Sequence, residues 1–423
     1  MSLVLKNAYV HNVGKTDVVI DNGIVTRISS VVPACSDTVF NFDNMYIFPG
    51  FADVHVHLRE PGFSYKETIA TGTRACARGG FTHVCCMPNL VPVPDSKENL
   101  QCQLDIINKD AVINVFPFGA ITVGQKGEQI SDMESMSQNV IGFSDDGRGV
   151  QSEEMMLDAM AKAEALGKII SAHCEDNSLL NGGYIHDGEY AKTHGHKGIC
   201  SESEWKPIER DIELVKKTGV KYHVCHISAK KSVELIRQAK KDGVDITCET
   251  APHYLVFSDE DLKDEGRFKM NPPIRSKADR QALIDGILDG TVDMIATDHA
   301  PHSADEKSKG LKGSLNGIVG IETSFPIMYT HFVKSGIITI DKLIELMSTN
   351  PASRFGFDNK LQAGSVANLT VFDLNNKYKI NSSDFESMGK STPFENMEVY
   401  GKCLLTIANG KIAYIDKTIK EEN

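Results

Sequence analysis

His55 and His57 stand two residues apart in the run FPGFADVHVHLREPG, which spans Phe48 to Gly62. Small or apolar residues alternate with polar ones from Ala52 to His57, the period of a strand. That period predicts Asp53, His55 and His57 on one face. Two neutral imidazoles at this spacing can reach one metal ion. Arg59, Pro61 and Gly62 break the strand at once, so the pair sits where strand gives way to loop. Taken alone, such a pair is most often two half-buried histidines with ordinary hydrogen bonds. The metal reading needs partners at equivalent places in the chain.

Equivalent places recur. Apolar runs that end in polar residues follow one another: FTHVCCMPN ends at Asn89, VIGFSDDG carries Asp145 and Asp146, and IISAHCED carries His173. YHVCHIS then carries His226, DITCETAPH carries His253, and DMIATDHAPH carries Asp298 and His302. Helix-like stretches separate them, at 68–78, 95–108, 152–166, 205–217, 230–240 and 277–288, with further ones at 324–333 and 340–348. The Ser-Glu-Glu opening of the third suits a helix start. Eight such strands lie between Phe51 and Asp298, the number that closes a parallel β/α barrel, whose strand carboxyl ends meet at one mouth. His55, His57, Asp146, His173, His226 and Asp298 all end strands, a preference that scattered core histidines would not show. Four imidazoles and two carboxylates exceed the needs of one tetrahedral zinc but suit two ions sharing a bridge. Water held between two cations loses a proton near neutral pH, so the chemistry is hydrolysis.

The 423 residues allow one large domain and a smaller one. The expected division is a barrel over 49–356, with 1–48 and 357–423 forming together a small β-sandwich from both ends. The strand-like runs 3–10, 16–20 and 23–28 precede the barrel, with Asp21-Asn22-Gly23 as a hairpin turn. Runs 368–373, 403–407 and 412–415 follow it, with Asn409-Gly410 as another turn. A net charge of −12 argues against nucleic acid as a partner, though not against a small anion. No apolar run approaches a membrane span, and MSLVLKNAYV is not a signal peptide. The ten cysteines contain no Cys-x-x-Cys, so a reducing cytoplasm is the expected compartment.

FPGFADVHVHLREPG, CCMPN, GFSDDG, SAHCED, HISAKKSVELI and ATDHAPH together resemble the dihydroorotase branch of the amidohydrolase superfamily, in its type I bacterial form. The resemblance implies reversible, zinc-dependent hydrolysis of the cyclic amide of dihydroorotate to N-carbamoyl-aspartate, in pyrimidine biosynthesis. It implies two zinc ions per chain, with His55, His57 and Asp298 on one and His173 and His226 on the other. Related enzymes bridge the metals with a carboxylated lysine ending the fourth strand. Here that strand reads Val140 to Asp146 and has no lysine. Asp146 resembles the bridging aspartate of the type I enzymes, beside a bridging hydroxide. The spacing to His173 favours Asp146 over Asp145, which is expected to brace the turn. Asp298 is the expected catalytic residue, taking a proton as general base and returning it to the departing ring nitrogen.

The same resemblance assigns Arg59, Asn89 and His302 to the substrate carboxylate and Asn271 to the ring. Each also has a plain alternative: for Arg59 a salt bridge with Glu60 or Glu67, for Asn89 and Asn271 a turn beside proline. The family commonly shows Pro-Phe-Gly where this chain has Leu315-Asn316-Gly317. That leaves Gly317 as the remaining backbone contact to the pyrimidine. Residues 303–315 read either as a lid or as a long surface loop. His83, His186, His194, His196, His223, His253 and His299 are expected to be structural or solvent-facing. Cys174, Cys225 and Cys248 are expected in the core, with the first two pointing away from the neighbouring ligands. Two rivals remain: a hydantoinase-like or allantoinase-like cyclic amidase, and a non-catalytic scaffold for a carbamoyltransferase. The resemblance also leaves room for a homodimer and for association with aspartate carbamoyltransferase.

Overall fold

Eight short parallel strands form a closed ring in a computed structural model, which describes residues 2–34 and 37–422. Three of them, Phe51–Val56, Phe81–Cys86 and Asn114–Pro117, pair in that order. The other five run from Gly142–Phe143 through Ile169–Ala172, Tyr222–Val224 and Ile246–Thr250 to Met294–Ile295. Single parallel bridges close the ring, from Gly119 to Phe143 on one side and from Val56 to His299 on the other. Val54, Cys85, Phe118, Ile169, Cys225, Met294 and Ala296 come from six different strands and pack together, so they fill the barrel interior. A larger apolar layer lies between the ring and its helices.

The helices begin where side chains can satisfy their free amide groups. Ser152 accepts from the Met155 amide and opens the helix Glu153–Ala165. Ser276 and Asp279 form a reciprocal cap on Lys277–Leu288, and Thr68 with Thr71 caps Ile69–Arg78.

Both ends of the chain contribute to a single eight-stranded sheet that branches at Ser2–Val10 and folds over its own core. Its two tight turns place Asn22-Gly23 and Asn409-Gly410 at positive φ, as hairpins of this type require. Tyr46–Pro49 is the joint: it runs parallel to Ser2–Val10 and antiparallel to Leu369–Asp373. Phe48, Phe51, Phe325 and Phe372 stack beside it and weld this sheet to the barrel. Nine cysteines are free among the described residues, and Cys35 lies outside them.

Candidate metal centre

The first barrel strand departs from simple alternation. Its register with the second strand slips by one residue between Asp53 and Val56, which is a bulge. Val54 therefore joins the interior cluster next to His55. Asp53 turns instead to the amide and hydroxyl of Thr297, 3.1 and 2.6 Å away. The expectation that Asp53 shares the face of His55 and His57 is corrected accordingly. A second correction concerns Cys225, whose sulfur lies within 4.8 Å of ligand-type atoms of both His55 and Glu249, inside the barrel. His226 has φ +33°, and this left-handed kink lets both neighbours face inward. Cys174 points outward, toward the Tyr222 hydroxyl at 3.4 Å. Asp298 at φ +45° and Arg59 at φ +62° share the left-handed conformation. Such backbone strain is held in place only by a well-determined surrounding.

Six side chains meet at the mouth. Asp146 sits in the middle: its Oδ1 is 3.4 Å from His55 Nε2, 3.5 Å from His173 Nδ1 and 3.4 Å from His226 Nε2. Its other oxygen is 3.5 Å from His57 Nε2. Asp298 Oδ1 is 3.0 Å from His57 Nε2 and 3.5 Å from His55 Nε2, while His173 Nδ1 and His226 Nε2 are 3.0 Å apart. All six are buried. Asp145 faces elsewhere and accepts from the amides of Ile121 and Thr122, bracing the preceding turn.

The donor set fits cations. His55 Nδ1 lies 2.9 Å from Glu249 Oε1, so its proton belongs there and Nε2 carries a bare lone pair. That lone pair is buried without a hydrogen-bond partner and faces two carboxylates, an arrangement that is repulsive unless positive charge lies between them. Protons would otherwise supply the charge. Burial alone would lower the His55 pKa, but Asp146 and Asp298 hold it well above the ordinary imidazole range. Burial is outweighed at His173 as well, where Asp146 and Glu175 push the value up to about 10. Asp146 is held far below the ordinary carboxylate range in spite of burial, chiefly by His55.

A cavity of about 250 Å³ opens above this cluster. Arg59, Asn89, Asn271, His302 and Gly317 all line it. Arg59 is not paired with Glu60 or Glu67. Its Nε donates to the Pro301 carbonyl at 3.1 Å and its guanidinium lies beside His302. Asn89 donates to the Asp146 carbonyl at 2.6 Å, and Asn271 donates to Glu175 at 2.9 Å. Gly317 has φ +148°, and a Cβ there would meet the Ala300 carbonyl oxygen at 2.4 Å. Its amide donates to the Lys269 carbonyl at 3.0 Å.

A family profile described as Dihydro-orotase-like matches residues 45–232. A protein named dihydroorotase from Fusobacterium nucleatum is 51% identical over 405 residues, covering 95% of each chain. The chain belongs to the dihydroorotase family. A dihydroorotase from Bacillus licheniformis is 45% identical, with 98% of each chain covered. Among solved structures, an L-hydantoinase from Arthrobacter aurescens has a TM-score of 0.85 at 25% identity, covering 97% of this chain and 95% of its own. This chain and that hydantoinase thus share a fold over nearly their whole lengths.

Reading the sequence of this dihydroorotase-family chain missed Glu249. Its carboxylate takes His55 Nδ1 at 2.9 Å, His223 Nε2 at 3.1 Å and the His226 amide at 3.2 Å. It is fully buried, and despite that burial the two imidazoles hold its pKa below the ordinary range. A glutamate in the middle of the buried strand Ile246–Thr250 was the available signal. Glu175 was missed too; it lies 3.6 Å from His173 Nε2 and also holds Asn271. Of the remaining histidines, His223 serves the site through Glu249. His83 contacts Thr82 and Asn114, and His194 and His196 each stack with Tyr190.

Proposed function

We propose that this chain is a dihydroorotase that binds two zinc ions and reversibly hydrolyses the cyclic amide of (S)-dihydroorotate to N-carbamoyl-L-aspartate, a step of pyrimidine biosynthesis. The observation that carries the reading is a hydrolytic ligand cluster placed beside an anion-binding corner: six converging ligands with Arg59 and His302 on the same cavity. His55, His57 and Asp298 would hold one ion, His173 and His226 the other, and Asp146 both. Divalent cations so held supply deprotonated water near neutral pH and polarise a carbonyl.

The chain's own residues do the rest. Arg59 offers a planar fork to the substrate carboxylate, with Asn89 and His302 flanking it. Asn271 and the Gly317 backbone border the ring. As water adds to the ring amide carbonyl, Asp298, which lies against His57, accepts the proton the water loses and delivers it to the ring nitrogen as the C–N bond breaks. Its left-handed backbone aims the carboxylate at the cluster rather than along the strand.

The competing cyclic amidases are disfavoured by two residues: the fourth strand ends in Asp146 rather than lysine, and Arg59 suits a substrate that carries a carboxylate. Rates on dihydroorotate, hydantoin and allantoin, measured with metal content on the same sample, test the reading. Turnover of dihydroorotate alone with about two ions per chain is expected. Comparable rates on hydantoin, or fewer than about one ion per chain without turnover, would favour the other amidase or the scaffold. The barrel of 49–356, the small domain from 1–48 and 357–423, and a cytoplasmic location belong to the same proposal.

A further inference from the structure

Lys66 lies outside the roles assigned so far. It is buried behind the cavity, yet its ammonium is 3.2 Å from His302 Nδ1 and 3.1 Å from Glu306 Oε1. An ammonium can only donate, so the Nδ1 facing it must be bare. The other side of the ring gives the same answer. His302 Nε2 is 2.7 Å from the Asn316 carbonyl oxygen, an atom that can only accept. Both contacts place the single proton on Nε2.

We propose that Lys66 is a positioning residue for the substrate-carboxylate corner, locking His302 as an uncharged ring whose Nε2–H holds the Asn316 carbonyl at the edge of the cavity. The idea rests on the function proposed above, in which His302 contacts that carboxylate. One donor faces the same nitrogen, Arg59 Nη2 at 3.4 Å from Nε2, but that contact is too long to compete with the 2.7 Å approach of the Asn316 carbonyl. Arg59 and Lys66 come from the loop after the first barrel strand, while Glu306 and Lys307 come from the helical turn Ala304–Lys307. Glu306 Oε2 is 3.5 Å from Nδ1 but is engaged by the Ser303 amide at 3.0 Å, so Lys66 is the nearer partner. Burial, Arg59 and Lys66 together hold the imidazole pKa down at about 3. The corner therefore combines the basic side chains of Arg59 and Lys66 with one neutral ring. Glu306 neutralises Lys66 from behind and, through Tyr65 and Ser303, ties the 303–315 segment to the same point.

The test uses the metal-loaded protein with ¹⁵N-labelled histidines, the His302 signals being assigned by their loss in His302→Gln. The wild-type ring should be neutral, protonated on Nε2, and should take up no second proton down to about pH 5. In Lys66→Met a proton should be found on Nδ1, where Glu306 can accept it. KM for dihydroorotate should rise about tenfold, with kcat within about twofold. Lys66→Arg should restore both. A wild-type ring protonated on Nδ1, or ring signals unchanged in Lys66→Met, overturns the proposal. If Lys66→Met does not fold, the wild-type spectrum alone decides. If the ring changes as expected while KM does not move, the role of Lys66 stands and the placement of His302 on the substrate carboxylate falls.

Discussion

Replacing Glu249 by glutamine removes one buried charge at nearly constant volume, and the structure gives the consequence. Glu249 takes two imidazole protons, at 2.9 Å from His55 and 3.1 Å from His223. A glutamine oxygen can keep the first. Its NH2 group must then face His223 Nε2, which becomes an acceptor only if its proton moves to Nδ1, 2.9 Å from Thr247. His55 thus keeps a hydrogen bond but loses the charge that makes its ring more basic. Partners in this position typically contribute 10–100-fold to metal affinity, about 1.4–2.7 kcal/mol. Competition with a chromophoric chelator near neutral pH measures this directly, without substrate. Glu249→Gln should weaken zinc binding within that range. Glu249→Leu should weaken it further, because it strands His55 Nδ1, His223 Nε2 and the His226 amide together. An affinity within roughly threefold of wild type for both variants would refute the argument.

Three further outcomes are expected. Asp298→Asn should lower kcat by about 10²–10⁴-fold with the fold unchanged by circular dichroism; a near wild-type rate removes Asp298 from proton transfer. Gly317→Ala should raise KM and destabilise the protein by about 1–3 kcal/mol, since its methyl would meet the Ala300 carbonyl at 2.4 Å in a left-handed backbone; an unchanged melting temperature and KM would count against that close approach. Burial pushes the Lys307 pKa down to about 7, whereas the unfolded ammonium keeps its ordinary value near ~10.4. Between those values the unfolded chain binds more protons, so stability rises with pH by at most about 1.4 kcal/mol per unit and is flat below the window. Thermal melts from about pH 7 to 9 should show wild type gaining on Lys307→Met, and a constant difference between the two would exclude this contribution.

Much of the ligand set was legible because the information was local. A His-x-His at a strand end, Ser152 before two glutamates and an Asn-Gly between apolar runs each act within a few residues. The bulge between Asp53 and Val56 was not legible, because it is defined by register against a strand about 30 residues away. The inward turn of Cys225 depends on the left-handed His226, which no β-branched or glycine signal announces. Glu249 could be placed only once the sixth and seventh strands were known to lie beside the first histidine across the barrel. The chemistry-bearing atoms were written in the sequence, while the groups that aim them are products of ring closure.

The strand Tyr46–Pro49 has a consequence for how this chain is made. It emerges from the ribosome early, but its antiparallel neighbour, Leu369–Asp373, is synthesised only after the entire barrel. Throughout that interval one side of the nascent sheet has unpaired amide and carbonyl groups, flanked by Phe48 and Phe51, whose aromatic neighbours Phe325 and Phe372 also arrive late. Such an open edge recruits other strands, so the growing chain is exposed to mispairing until Leu369–Asp373 has been made.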